Sequence, residues 1–244
     1  MRFEERGLGR PVVFIHGNFA SRAWWQEVMH PPKGYRFIAV DLPGFGETPF
    51  PGGVPTIKGF AQAVLSFLEE KGLEPVLVGH SLGGAVAMEV AGRAPDRARG
   101  LVLVDSAPPT GFPTPEAYYP VLESYQKDRE ALRAALLRVI GKPPSYFEAL
   151  VDLAQAMHPT HFTGNAKALA EWRLTHAYPG PVLVVHGEKD PLVPLAMAEA
   201  TRAFFPQGRL LVLPGLGHSP QLEGPEVFLG ALEAFLEEVP WGSK

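Results

Sequence analysis

The sequence contains no cysteine. A disulfide framework, a thiolate nucleophile and a cysteine-ligated metal are therefore excluded. Long apolar runs are missing too: none reaches 18 residues, and the opening MRFEERGLGR holds no apolar signal region. Neither a secretory leader nor stable membrane insertion is expected. An excess of positive charge is also lacking. Lysine and arginine number 22 against 26 aspartates and glutamates, a formal net charge of −4, without the basic footprint of a nucleic-acid binder. These absences predict a soluble, cytoplasmic protein with no nucleic-acid partner. Asparagine is nearly absent, with only Asn18 and Asn165 in the chain, while prolines number 26. That composition suits a heat-tolerant protein with few thermolabile residues and stiff loops. Skewed genomic base composition would produce it equally well.

What the chain does have is material for a core. Of its 244 residues, 46% are hydrophobic and 20% charged, which suits one domain, or one domain carrying a large insertion. Six short runs are near-continuous Val, Leu and Ile: PVVFIHG (11–17), YRFIAVDLPG (35–44), PVLVGHS (75–81), GLVLVDSAP (100–108), PVLVVHGEKD (181–190) and RLLVLPGLGH (209–218). Strands buried on both faces read this way. Helical patterns separate them. Residues 56–71 bring Phe60, Val64, Phe67 and Leu68 to one face, with Thr56 as N-cap and Gly72 just past the end. Residues 82–93 are rich in small side chains, which let a helix lie close on a sheet. Residues 225–238 repeat Phe228, Ala231, Leu232 and Phe235. Strand and helix in alternation predict an α/β fold on a doubly wound, mostly parallel sheet.

The alternation breaks once. Between Pro108 and Gly180 no strand is expected, and helical stretches fall near 116–127, 129–140, 144–157 and 165–176. A structureless loop of that length would be implausible. The chain thus divides into a core, 1–107 and 178–244, and a helical insertion, 108–177, over one end of the sheet.

In an open parallel sheet, ligands bind beyond the carboxyl ends of the strands. The first long strand ends in His16-Gly17-Asn18-Phe19, the third in Ser81, the fourth in Asp105, the fifth in Asp190 and the last in His218. A serine, a histidine and an acid on one edge are the inventory of nucleophilic acyl transfer. Around the serine the chain reads G-H-S-L-G (79–83). Two glycines permit a very sharp turn, with the serine exposed at its apex. Such a turn between strand and helix, with serine, acid and histidine in that chain order, is a nucleophile elbow. Five segments carry a resemblance: HGNF (16–19), DLPGFGET (41–48), GHSLGG (79–84), HGEKDPLVP (186–194) and GHSPQLEGPE (217–226). On these the chain resembles the α/β-hydrolase fold superfamily, in its serine esterase and lipase-like branch with a helical lid. The resemblance covers about residues 11–107 and 178–238 and does not extend with any specificity into the insertion.

The resemblance implies Ser81 as nucleophile, His218 as base and then acid, and Asp190 as the carboxylate that orients the imidazole. Asp105 is a rival for that last place, because some relatives carry the acid after the preceding strand. It implies an oxyanion hole made by the backbone N–H groups of Leu82 and Asn18, with Phe19 the alternative to Asn18. Relatives usually have two strands before the one ending in the His-Gly turn. Here only Arg2–Arg6 is available before Pro11, enough for one short strand, so about seven strands are expected. His16 is expected to buttress its loop, His80 to pack beside the elbow and Asp41 to tie down its own loop. His158 and His161 lack a carboxylate at matching helical spacing and read as surface or lid histidines, so no metal site is expected.

Over residues 107–177 seven basic residues match seven acidic ones, which gives no reason to expect a strongly charged substrate. Aromatic and apolar side chains suggest an acyl or alcohol pocket beneath the lid. Phe19, Trp24, Tyr118, Tyr125 and Trp172 are the candidates for substrate contact. The expected activity is hydrolysis of a small-molecule carboxylic ester through an acyl-enzyme on Ser81, with no cofactor. Lactonase, amidase, thioesterase and C–C bond hydrolase activities share the triad, as does cofactor-free haloperoxidase activity, and non-enzymatic receptors on this fold can retain it. C–C hydrolases usually carry a bulky aromatic directly after the histidine, where this chain has Ser219. The oligomeric state is not legible.

Overall fold

The computed structural model describes residues 1–242. Seven strands form one sheet: β1 (Phe3–Gly7), β2 (Gly9–Ile15), β3 (Gly34–Val40), β4 (Val76–His80), β5 (Gly100–Val104), β6 (Val182–Gly187) and β7 (Gly208–Leu213). Their spatial order is β1-β3-β2-β4-β5-β6-β7. Only β1 runs antiparallel, placing Phe3 opposite Val40; the other neighbours pair in parallel. The count and the mostly parallel pairing match the sequence expectation.

The uniform apolar runs follow from burial on both faces. Alternate residues go to opposite sides of a strand. Val13, Ile15, Ile38, Val40, Leu77, Leu101 and Leu103 join one core cluster, while Val12, Phe14, Phe37, Val76, Val78 and Val102 join another. Helices α1 (Ile57–Lys71) and α2 (Leu82–Arg93) cover the first face. The Thr56 hydroxyl caps α1 by accepting the Gly59 N–H at 2.9 Å, and Gly72 closes it in the left-handed conformation.

Between β5 and β6 the chain makes α3 (Tyr119–Ser124), α4 (Arg129–Val139), α5 (Phe147–Gln155) and α6 (His161–Glu171), and no strand lies there among the described residues. Helix α6 starts ahead of the expected 165 and stops short of 176. A turn at 158–160, held by the His158 N–H on the Gly44 carbonyl at 2.8 Å, starts it early. Trp172 leaves the helix in extended conformation, its indole reaching Glu89 on α2. Both causes are long-range contacts that local periodicity does not contain.

Helix α7 (Leu195–Phe204) follows β6. The periodicity left it unread, since it buries only Ala198 and Thr201. The short α8 (Pro220–Glu223) leads into α9 (Pro225–Glu238). Helix α9 covers the second face with a 3-10 segment at Arg22–Val28, through Trp25, Phe228, Leu232 and Phe235. No described helix is long and apolar enough to cross a membrane.

Candidate active site

Ser81 stands alone between β4 and α2 at φ 53°, ψ −116°. A non-glycine residue adopts this backbone only where its surroundings enforce it. Here the Ser81 N–H donates to the Val104 carbonyl at 3.0 Å, and the Ser81 carbonyl accepts from Gly84 at 3.0 Å and Ala107 at 3.2 Å. The flanking glycines have steric reasons. A Cβ at Gly83 would run into the Ile15 and His16 carbonyl oxygens, and one at Gly79 into the Gly83 carbonyl. The chain thus turns hard against β2, which carries the His16–Phe19 turn.

The His218 loop is fixed on every side. Glu223 accepts the N–H groups on either side of the histidine, Gly217 at 2.9 Å and Ser219 at 3.0 Å. His80 Nε2 lies 2.7 Å from the His218 carbonyl. A carbonyl only accepts, so His80 donates from Nε2. Burial, with the His218 charge adding to it, lowers the His80 pKa to about 3 and keeps the ring neutral. Trp24 Nε1 donates to the Ser219 hydroxyl at 3.3 Å.

His218 Nδ1 is 2.7 Å from Asp190 Oδ2, while Asp190 Oδ1 accepts the Leu192 and Val193 N–H groups. Because the carboxylate accepts at Nδ1, that nitrogen carries the proton and Nε2 keeps its lone pair. Burial alone would lower the His218 pKa. The Asp190 hydrogen bond and charge, helped by Asp105 and Glu223, outweigh burial and raise it. Burial likewise opposes ionisation of Asp190, and the bond and charge of His218 overcome it and lower that pKa.

Asp105 lies close to the same group without joining the pair. Ligating atoms of Asp105, Asp190 and His218 lie within 4.8 Å of one another. Asp105 accepts the Gly187 N–H at 2.9 Å, and His186 Nδ1 is 3.0 Å away but off the line of a hydrogen bond. Its second oxygen has no partner among the described residues, and burial pushes its pKa up to about 6. No other trio of histidines or carboxylates among the described residues converges closely enough for a metal ion. His161 Nε2 is instead 2.9 Å from the Pro43 carbonyl.

In the His-Gly turn, His16 Nε2 accepts the Leu42 N–H at 3.1 Å, so Nδ1 donates to the Gly17 carbonyl at 2.8 Å. Asp41 accepts from the Arg22 and Glu47 N–H groups and pairs with the Arg22 guanidinium, tying its loop down. The Phe19 N–H is occupied by Asn18 Oδ1 at 3.0 Å. The N–H groups of Asn18 and Leu82 donate to nothing among the described residues. Of the two donors that the sequence left open in this turn, the unoccupied one is Asn18.

Ser81, His218 and Asn18 open on one cavity of about 560 Å³. Phe19 and Trp24 line it, with Tyr118, Tyr125, Ala135, Leu136 and Leu169 from the segment between β5 and β6. Trp172 does not. It is buried, and its indole donates to Glu89 at 2.8 Å, which corrects the expectation that it contacts substrate. A larger cleft of about 760 Å³ holds Arg99 and Arg209. Both arginines are already paired, with Glu74 and Glu238, and none of the candidate catalytic, oxyanion or substrate-contact residues lies there. Sequence reasoning missed Glu223 and Asn165. The first lies inside the quoted GHSPQLEGPE segment; the second was visible only as a rare residue type.

The sequence model described as the alpha/beta hydrolase family matches residues 12–231. A pimeloyl-[acyl-carrier protein] methyl ester esterase from Edwardsiella ictaluri is 31% identical over 251 residues, covering 93% of this chain and 93% of that protein. A 2-hydroxymuconate semialdehyde hydrolase from Pseudomonas sp. strain CF600 is 30% identical over 258 residues, covering 96% and 89%. Among solved structures, a thermophilic esterase from Thermogutta terrifontis superposes with a TM-score of 0.82 at 25% identity, covering 97% of this chain and 93% of that one.

Proposed function

The chain belongs to the alpha/beta hydrolase family, and we propose that it is a serine hydrolase of small carboxylic esters with residues 108–177 as its lid. One observation carries this reading: a Ser81 held in a strained backbone opens on the same apolar cavity as a His218 whose Nδ1 is bonded to Asp190 at 2.7 Å. A serine hydroxyl needs an adjacent base to become nucleophilic. His218 Nε2 takes the Ser81 proton as Oγ attacks the ester carbonyl, and Asp190 stabilises the imidazolium. The N–H groups of Leu82 and Asn18 receive the oxyanion. His218 then protonates the leaving alkoxide, the alcohol departs, and the acyl group remains on Oγ. Water, deprotonated by the same imidazole, releases the acid and restores Ser81. None of these steps calls on a metal or an organic cofactor. The esterase names of two of the relatives support an ester as substrate.

C–C bond hydrolysis is the second reading, favoured by the 30% identity to the Pseudomonas protein. The experiment is hydrolysis of p-nitrophenyl esters, acetate through palmitate, beside a dienone, by wild type and Ser81→Ala. Ester turnover that falls by about 10⁴-fold or more in the variant is expected. Turnover of the dienone alone would move the assignment to C–C cleavage, and equal activity in both proteins would remove Ser81 from the mechanism.

A further inference from the structure

A chain with only two asparagines in 244 residues bonds them to each other. Asn165 Nδ2 donates to Asn18 Oδ1 at 2.8 Å, linking α6 of the insertion to the turn after β2. The atom identities follow from the network. The Phe19 N–H donates to the same Asn18 atom, which must therefore be the oxygen, so Asn165 must offer its NH₂. Phe19 is held at φ 54°, a conformation that a bulky residue keeps only under constraint. Asn165 is fully buried, and its own oxygen has no partner among the described residues. A buried carboxamide satisfied on one side only is a poor packing residue; an apolar side chain of similar volume would cost less desolvation. Its use therefore lies in the bond it makes. That bond fixes Asn18 Oδ1 where it occupies the Phe19 N–H, leaving the Asn18 N–H as the free donor of the turn. Helix α6 is itself pinned to the β3–α1 loop through His161 and His158, so the donor Asn165 has a fixed base.

We propose that Asn165 is a positioning residue that acts through Asn18 to aim the Asn18 N–H at the substrate oxyanion, making lid helix α6 part of the oxyanion hole. The inference rests on the reading of Asn18 and Leu82 as the oxyanion donors. Asn165→Leu keeps the approximate volume and removes the bond. The expected result is a fall in kcat of about 10- to 100-fold with KM within about threefold. Affinity for an arylboronic acid, which forms a tetrahedral adduct on the serine, should fall by the same factor as kcat/KM. A residue that only packs would lower Tm and leave kcat and the inhibitor constant near wild type, and that result would overturn the proposal.

Should Asn165→Leu fail to fold, asparagine-selective ¹⁵N labelling of the wild type leaves only two side-chain NH₂ groups to assign, each a pair of proton signals on one nitrogen. The Asn165 amide is expected to be protected from solvent exchange and to shift when the boronic acid binds. Rapid exchange with no shift overturns the proposal. If every ester proves inert while the amide is protected and responds to the inhibitor, the ester reading falls and the clamp stands.

Discussion

His218 is surrounded by three carboxylates with three different duties. Asp190 binds its ring, Glu223 binds the backbone on either side of it, and Asp105 stands behind the pair with one oxygen unpartnered. All three charges raise the histidine pKa above the 6.5 of a free imidazole, against its burial. A general base must be unprotonated, so kcat/KM for a neutral ester should fall as pH drops through a midpoint above 6.5. A pH–rate profile with its acid limb well below 6 would remove His218 as the base.

Asp105 gives a stability prediction of opposite character. Unfolded, it loses its proton near 3.8; folded, near 6, because burial disfavours the charge. Between those values the folded state binds more protons, so this group's contribution falls as pH rises through the window and is lost above it. The shift corresponds to roughly 2–3 kcal/mol. Asp105→Asn removes the ionisation and can still accept the Gly187 N–H. Its Tm relative to wild type is expected to rise between pH 4.5 and pH 7. A constant difference across that range would mean that Asp105 is ionised throughout.

At the scale of elements, the elbow and α4 divide the labour of the site. The elbow is built for closeness: Gly79 and Gly83 let β4, α2 and β2 meet without side chains between them. Helix α4 forms part of the cavity wall. Ala135 and Leu136 project from it into the cavity. Replacing Ala135 by tryptophan should fill part of the cavity. Turnover of octanoate and longer p-nitrophenyl esters is expected to drop by about tenfold or more, with acetate changed by less than about threefold, since added bulk penalises only chains that must occupy that space. Equal loss on all chain lengths would place Ala135 elsewhere than along the acyl path.

Across the whole molecule, the helices between β5 and β6 are fastened unevenly. Helix α6 reaches the core through Asn165 to Asn18, His161 to Pro43 and, just past its end, Trp172 to Glu89. Helix α3 buries no residue, and α4 buries only Leu132 and Leu136. Local opening should start where buried contacts are fewest. Amide hydrogen exchange is therefore expected to be faster in α3 and α4 than in α6. Uniform exchange over all four helices would mean that the insertion opens as one unit.

Much of this was legible from the chain alone. The strands declared themselves because both faces of a parallel sheet are dry, which forces unbroken apolar runs such as Val76–Val78 and Leu101–Val104. Ser81 was marked by the glycines that its turn requires, and His218 and Asp190 by their places at strand ends. These are local signals, carried by neighbours in sequence. What the sequence could not state is which distant groups meet. The choice of Asp190 over Asp105 as the partner of His218, the removal of Trp172 from the pocket to Glu89, the Glu223 clamp and the Asn18–Asn165 bond all join residues through space. Hydrogen bonds are short-ranged and directional, so such partnerships exist only once the sheet and its helices have brought the groups within about 3 Å.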